Sequence, residues 1–162
     1  MKQYTVSFLA LSLYILFAIA DASALSLKQI SDLRSFAQSE ALGLRPLLLV
    51  FTADDCPYCD QLANEILLPM IRSGEYEDRV IICALNLDGT SVRDFNGEVI
   101  EPWGFAQRYN VSVTPTMVLL DDRGRLLGEP LVGVRNLDFY EGYIANAIDQ
   151  AKQRLSSTPN TQ

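Results

Sequence analysis

Two apolar runs of strand length, Pro46–Phe51 and Arg79–Leu87, flank a helical pattern, and this arrangement limits the fold more than any other feature of the chain. Runs that are apolar at nearly every position suit strands buried on both faces, as in a parallel sheet covered by helices. Between them Leu62, Ile66 and Leu67 recur at helical spacing, and Pro69 is set to end or kink that helix. Upstream, Ser26 is placed to cap a helix with Leu27, Ile30, Leu33 and Ala37 on its apolar positions and Phe36 beside them. That helix stops before Gly43 and Pro46. The order helix, strand, helix, strand predicts an α/β fold with a right-handed parallel crossover.

The second half reads differently. Residues 88–102 are polar and turn-rich, and Asn96-Gly97 predicts a tight hairpin between Val92–Phe95 and Val99–Ile100. Trp103–Tyr109 reads as a short helix, with Trp103 either a core filler under the insertion or a substrate-facing aromatic on it. Thr116–Leu120 and Arg125–Val132 read as strands joined by Asp121-Asp122-Arg123-Gly124. Asn136 is placed to cap a last helix with Leu137, Tyr140, Ile144, Ile148 and Ala151 on one face. No repeat or linker divides the chain, so residues 25–155 form one expected domain, followed by a disordered tail, 156–162.

Residues 1–24 carry an early Lys2, an apolar run from Val6 to Ala20, and Ala22 and Ala24 in a small-x-small pattern. That is the plan of a secretory signal peptide, with an uncleaved anchor as the alternative. Export to the periplasm or cell surface would put the domain where disulfides persist. The net charge of -7 and the lack of a basic run argue against nucleic acid as a partner. The chain has no histidine, which excludes Ser/His and Cys/His catalysis and histidine metal sites.

What remains for chemistry is Cys56-Pro57-Tyr58-Cys59, between the first buried strand and the helix after it. There Cys56 meets free backbone N–H groups and the positive end of the helix dipole, which stabilise a thiolate. Cys59 follows one turn later, and Pro57 pre-sets the first helical dihedral. This is the layout of a redox pair in which one thiol attacks and the other resolves. A zinc site lacks a fourth ligand, since Cys83 alone remains, and haem attachment would need a histidine where Asp60 stands. A purely structural disulfide closing so short a loop would stabilise little. Cys83, mid-strand among Ile81, Ile82 and Leu85, reads as a buried small hydrophobe.

Leu47–Phe51, the C-P-Y-C motif, the strand ending Ala84-Leu85-Asn86-Leu87-Asp88, Tyr109–Thr116, and Gly124 and Gly133 before the final helix together resemble a thioredoxin. Within that superfamily the chain is similar to exported bacterial thioredoxins of the SoxW type. The resemblance covers about residues 26–154. It implies a thioredoxin fold, a central mixed sheet flanked by helices. It implies a redox-active Cys56–Cys59 disulfide with no other cofactor and no metal. It also implies a cis Pro115 lying against the cysteines and a Thr114 backbone that pairs with an extended substrate, with Pro57 and Tyr58 on the same substrate-binding surface. The chain departs from the family at Val50 and Ala84, where a buried acid and a neighbouring lysine usually handle protons. Asp54 and Asp55 precede Cys56 where an aromatic is usual. They either oppose its thiolate or are simply solvated. C-P-Y-C also occurs in glutaredoxins, but their basic residue before the motif and later Gly-Gly-Asp are absent, which argues against glutathione.

The expected function is an exported thiol–disulfide oxidoreductase that reduces disulfides of exported proteins. A membrane thiol donor of the DsbD or CcdA kind would recharge it, and it would act as a monomer. The alternatives are oxidase or isomerase action by the same cysteines, or a non-catalytic adaptor or chaperone on the same fold.

Overall fold

The computed structural model describes residues 26–40, 42, 45–134 and 136–157. The expected signal peptide and residues 158–162 of the expected tail lie outside the described residues. Along the chain run α1 (Leu33–Ser39), β1 (Leu47–Thr52), α2 (Pro57–Leu62), a π-turn (Ala63–Leu67), α3 (Leu68–Ser73) and β2 (Ile81–Asn86). Then come β3 (Val92–Arg93), β4 (Val99–Ile100), α4 (Pro102–Gln107), β5 (Thr116–Leu120), β6 (Leu131–Val132) and α5 (Leu137–Ser157). The main sheet has the order β2-β1-β5-β6. β1 runs parallel to β2 and antiparallel to β5, so the sheet is mixed.

The unbroken apolar run of β1 follows from its place at the centre. Successive side chains point to opposite faces of a strand. Leu48 and Val50 join one core cluster with Leu62, Ile66, Ile144 and Ile148, beneath the π-turn, its flanking helices and α5. Leu47, Leu49 and Phe51 join a second with Leu33, Phe36, Leu85 and Phe105, beneath α1 and α4. Phe51, Phe105 and Tyr109 pack as an aromatic triangle, with centroids 5.2 to 6.2 Å apart.

Three elements differ from expectation. The first helix does not begin at Ser26. Asp32 is its N-cap, accepting from the Ser35 N–H at 2.8 Å, and the helix starts at Leu33. Lys28–Ile30 instead lie extended along the outer edge of β2. There Ile30 N–H donates to the Ala84 carbonyl at 2.8 Å, and Ala84 N–H to the Lys28 carbonyl at 2.9 Å. Unpaired strand-edge groups outweighed the helical spacing of Leu27 and Ile30.

Second, the helix after β1 does not end at Pro69 but runs on to Ser73. Pro69 has no N–H to give to the preceding turn. The turn before it widens to the π form, with Leu68 N–H on the Ala63 carbonyl. Third, Arg125–Val132 is not one strand. Leu126 bridges Leu120, Gly128–Pro130 leave the ladder, and Leu131 rejoins opposite Met117. Pro130, lacking a ladder donor, falls in the gap. The turn at Gly124 needs a glycine twice over: its φ is +76°, and a Cβ there would sit 2.4 Å from the Phe95 ring.

The 88–102 segment is a stitched cover over the second cluster. β3 and β4 form the expected hairpin, with Gly97 in its turn at φ +90°. Its Asp94 is buried and accepts from the N–H groups of Asn96 (2.9 Å) and Glu98 (2.8 Å) and from Arg108 (2.6 Å). Burial pushes the Asp94 carboxyl up, but the Arg108 hydrogen bond and the two N–H groups outweigh it and hold it below the usual carboxylate value. Trp103 is half-buried and packs against this cluster. The final helix buries Tyr140, Ile144, Ile148 and Ala151 and continues through Ser157, two residues past the expected domain end.

Candidate functional site

β1 delivers the chain to the cysteines through a three-residue loop, Ala53–Asp55. Asp55 has φ +49°, a left-handed conformation unusual for a residue with a Cβ. Cys56 is then extended, with φ -104° and ψ 91°, and serves as the N-cap of α2. Its carbonyl accepts from the N–H groups of Cys59 (2.9 Å) and Asp60 (3.1 Å). Its Sγ also lies 3.3 Å from the Cys59 N–H. Pro57 occupies the first helical position, where its missing N–H has no intrahelical acceptor to lose.

Cys56 and Cys59 are joined in a disulfide. Cys56 is half-buried and Cys59 is only 7% exposed. Any reagent arriving from solvent therefore meets Cys56 first. Pro57 and Tyr58 stand out between them, Tyr58 with 64% of its surface exposed. On the other side, the Thr114 hydroxyl oxygen lies 3.5 Å from the Cys56 sulfur. The Thr114–Pro115 peptide bond is cis. The Pro115 carbonyl accepts from the Gly133 N–H at 2.8 Å, and the Thr116 hydroxyl donates to the Val113 carbonyl at 2.7 Å. The turn that presents Thr114 is thus tied on both sides. Val113 and Val132, exposed on either side of it, leave an apolar margin.

Val50 and Ala84 sit directly opposite each other in the β1–β2 register and are 1% and 0% exposed. The place where the resemblance expects an acid and a lysine is packed hydrocarbon. Asp54 and Asp55 are both exposed. Among the described residues no cluster of three or more Cys, Asp or Glu side chains could hold a metal ion, and no helix is long and apolar enough to cross a membrane.

Sequence reasoning missed one set of contacts. Asp54, Asn86 and Asp88 are hydrogen-bonded to one another beside the Cys56 loop. The only signal was the Leu-Asn-Leu-Asp stretch closing the second strand, which marked the resemblance without naming its purpose.

Cys83 is free and fully buried in the second cluster. Burial pushes its thiol far up, so it stays protonated and unreactive. Replacing it with alanine is expected to cost about 1 kcal/mol, at the low end of large-to-small core changes, and to leave the Cys56–Cys59 couple unaltered. Urea unfolding and thiol-reagent kinetics check both points. A native Cys83 that reacts as fast as reduced Cys56 would contradict the burial argument.

A family model described as a thioredoxin-like domain matches residues 34–148. The methylamine utilization protein MauD of Methylophilus methylotrophus is 35% identical over 100 residues, which cover 56% of this chain and 44% of MauD. The chain thus spans less than half the length of that relative. Among solved structures, the short form of thioredoxin f from spinach chloroplast superposes with a TM-score of 0.55 at 20% identity, over 78% of this chain and 94% of its own. A chain from work on thiol resolution in yeast mitochondrial 1-Cys peroxiredoxin via glutathione/thioredoxin systems gives 0.51 at 23% identity, over 75% and 95%. At such identities the two structures speak for the fold alone. The family match takes in both cysteines, the cis-proline turn and every strand of the main sheet, and the chain belongs to the thioredoxin-like domain family.

Proposed function

We propose that the protein is an exported thiol–disulfide oxidoreductase of the SoxW-like kind that reduces disulfides in other exported proteins. The observation that carries this reading is the Cys56–Cys59 disulfide at the start of a helix, with the Thr114 hydroxyl 3.5 Å from the more accessible sulfur. In the reduced protein, the Cys56 thiolate attacks a client disulfide and forms a mixed disulfide, releasing the first client sulfur as a thiolate. Cys59, once deprotonated, attacks the Cys56 sulfur. The second client sulfur leaves, and the pair ends as a disulfide with two electrons passed to the client. The Thr114 backbone and the exposed Pro57 and Tyr58 receive the client segment.

The reductive direction follows the SoxW-like resemblance. The same cysteines serve an oxidase or an isomerase, and the reduction potential of the couple decides between them. A membrane thiol donor of the DsbD or CcdA kind would restore the dithiol after each cycle.

Insulin reduction with dithiothreitol as donor tests the proposal. The protein is expected to accelerate precipitation of the insulin B chain. Its couple is expected nearer to about -270 mV than to the roughly -120 mV of a strong oxidant. No acceleration would favour a non-catalytic adaptor on the same fold, and a potential near the oxidant end would reverse the direction.

A further inference from the structure

We propose that Asp88 is a positioning residue for Cys56, holding the loop that carries the attacking sulfur by accepting a hydrogen bond from the Asp54 N–H. This deepens the redox reading and rests on it. The bond is 2.7 Å long, from Asp54 N–H to Asp88 Oδ2. The Asn86 side-chain amide donates to Asp54 Oδ1 at 2.7 Å. The Asp88 N–H donates to Asn86 Oδ1 at 2.9 Å. Each of the three residues thus gives one hydrogen bond and takes one, and the three bonds close a ring. Two of the acceptors are carboxylates, which makes those bonds stronger than neutral ones.

The ring is anchored in the sheet and points at the loop. Asn86 is the last residue of β2, paired with Thr52 at the end of β1, and the Leu87 N–H donates to the Thr52 carbonyl at 2.8 Å. Asp54 is mid-loop, two residues before Cys56. Between them Asp55 sits at φ +49°, a conformation that a residue with a Cβ keeps only when its surroundings hold it. Among the described residues, the hydrogen bonds that fix the residue before Asp55 are those of the ring. Without them Asp55 can relax to negative φ. That rotation would carry Cys56 Sγ away from the Cys59 N–H and the Thr114 hydroxyl, at 3.3 and 3.5 Å. Asp88 itself touches neither sulfur.

The test compares Asp88→Ala with Asp88→Asn in the full chain. Three quantities are read: melting temperature, the pH titration of the Cys56 thiolate absorbance, and the rate of attack on a small aromatic disulfide. Asp88→Asn keeps an amide oxygen to accept from the Asp54 N–H and should match the parent in melting temperature and rate, with a titration no higher than the parent's. Asp88→Ala should titrate at higher pH and attack about tenfold more slowly, the order of loss expected when a reacting atom is slightly misplaced. An Asp88→Ala protein with the parent's titration and rate overturns the proposal. So does an Asp88→Asn protein as impaired as Asp88→Ala, because charge rather than the hydrogen bond would then be at work. If Asp88→Ala fails to fold, Asn86→Ala, which removes two of the ring's three bonds, must shift the same two readouts, and an unchanged Asn86→Ala overturns the proposal. A parent that does not attack the disulfide sinks the redox reading itself. A reactive parent indifferent to Asp88→Ala sinks the positioning role alone.

Discussion

Replacing Cys59 with serine is expected to turn the protein into a covalent trap, whereas replacing Cys56 should leave it unable to react at all. The asymmetry follows from the geometry of the motif. Cys56 is the N-cap of α2 and half-exposed, so its sulfur can be reached, and as a thiolate it would lie 3.3 Å from a backbone donor at the positive end of the helix. Cys59 is 7% exposed, one turn inside. In Cys59→Ser the first attack proceeds and the mixed disulfide forms, but no second thiolate is present to release it. In Cys56→Ser the remaining thiol is buried and lacks that position. Insulin turnover by either variant should fall to the background rate of the free dithiol donor. Non-reducing electrophoresis or intact-mass measurement after incubation with a disulfide-bonded protein should show adducts with Cys59→Ser only. Adducts with Cys56→Ser alone would exchange the two roles.

The part of this site legible in the sequence was the part made of consecutive residues. A C-x-x-C between an apolar run and a helical pattern locates a helix N-terminus, because both flanking elements announce themselves by period. Thr114 and Pro115 lie far from the motif along the chain, and only the resemblance linked them to it. No local pattern encodes a contact between a strand-to-helix loop and a cis-proline turn. Asn86 and Asp88 were missed as partners of Asp54 for the same reason: their pairing depends on the parallel register that sets Asn86 beside Thr52.

In the fold, the buried elements were the readable ones. β1, β2, β5 and α5 have burial demands that show as continuous apolar runs or as a clean helical face. The segment Ser26–Asp32 failed because its apolar spacing also fits an extended chain that pairs with a strand edge, and backbone hydrogen bonding decided between them. A proline in a helical pattern predicts a stop or a kink because it removes one hydrogen bond. Here the chain does not stop: a π-turn absorbs the missing bond, favoured where the residues beyond, Leu68 and Met70, still have a core to fill.

A carboxylate introduced at Val50 should make the stability of the protein depend on pH in the sense opposite to an ordinary paired acid. Val50 is 1% exposed and lies opposite Ala84, in a cluster with Leu62, Ile66, Met117 and Tyr140, all apolar neighbours apart from one phenol already hydrogen-bonded to the Gly133 carbonyl. In Val50→Asp the charged form loses its water without gaining a partner, so the folded-state pKa rises above the ordinary value of about 3.9. Between those two values the folded chain binds the extra proton and the unfolded chain does not. Stability therefore falls as pH rises, by up to about 1.4 kcal/mol per pH unit, and levels off above the folded-state pKa. At pH 4 the variant should trail the parent by about 2 kcal/mol, the lost apolar contact of the valine. At pH 8 the gap should widen to about 3–5 kcal/mol as a buried charge is left unsatisfied. The position matters because the resemblance expects a proton-handling acid there. The buried acids among the described residues, Asp94 and Asp121, are committed to arginines in the two hairpins. Urea denaturation of parent and variant from pH 4 to pH 8 measures the predicted widening. A stability gap that stays constant over that range would mean that water reaches Val50, and that this core cluster is wetter than its packing indicates.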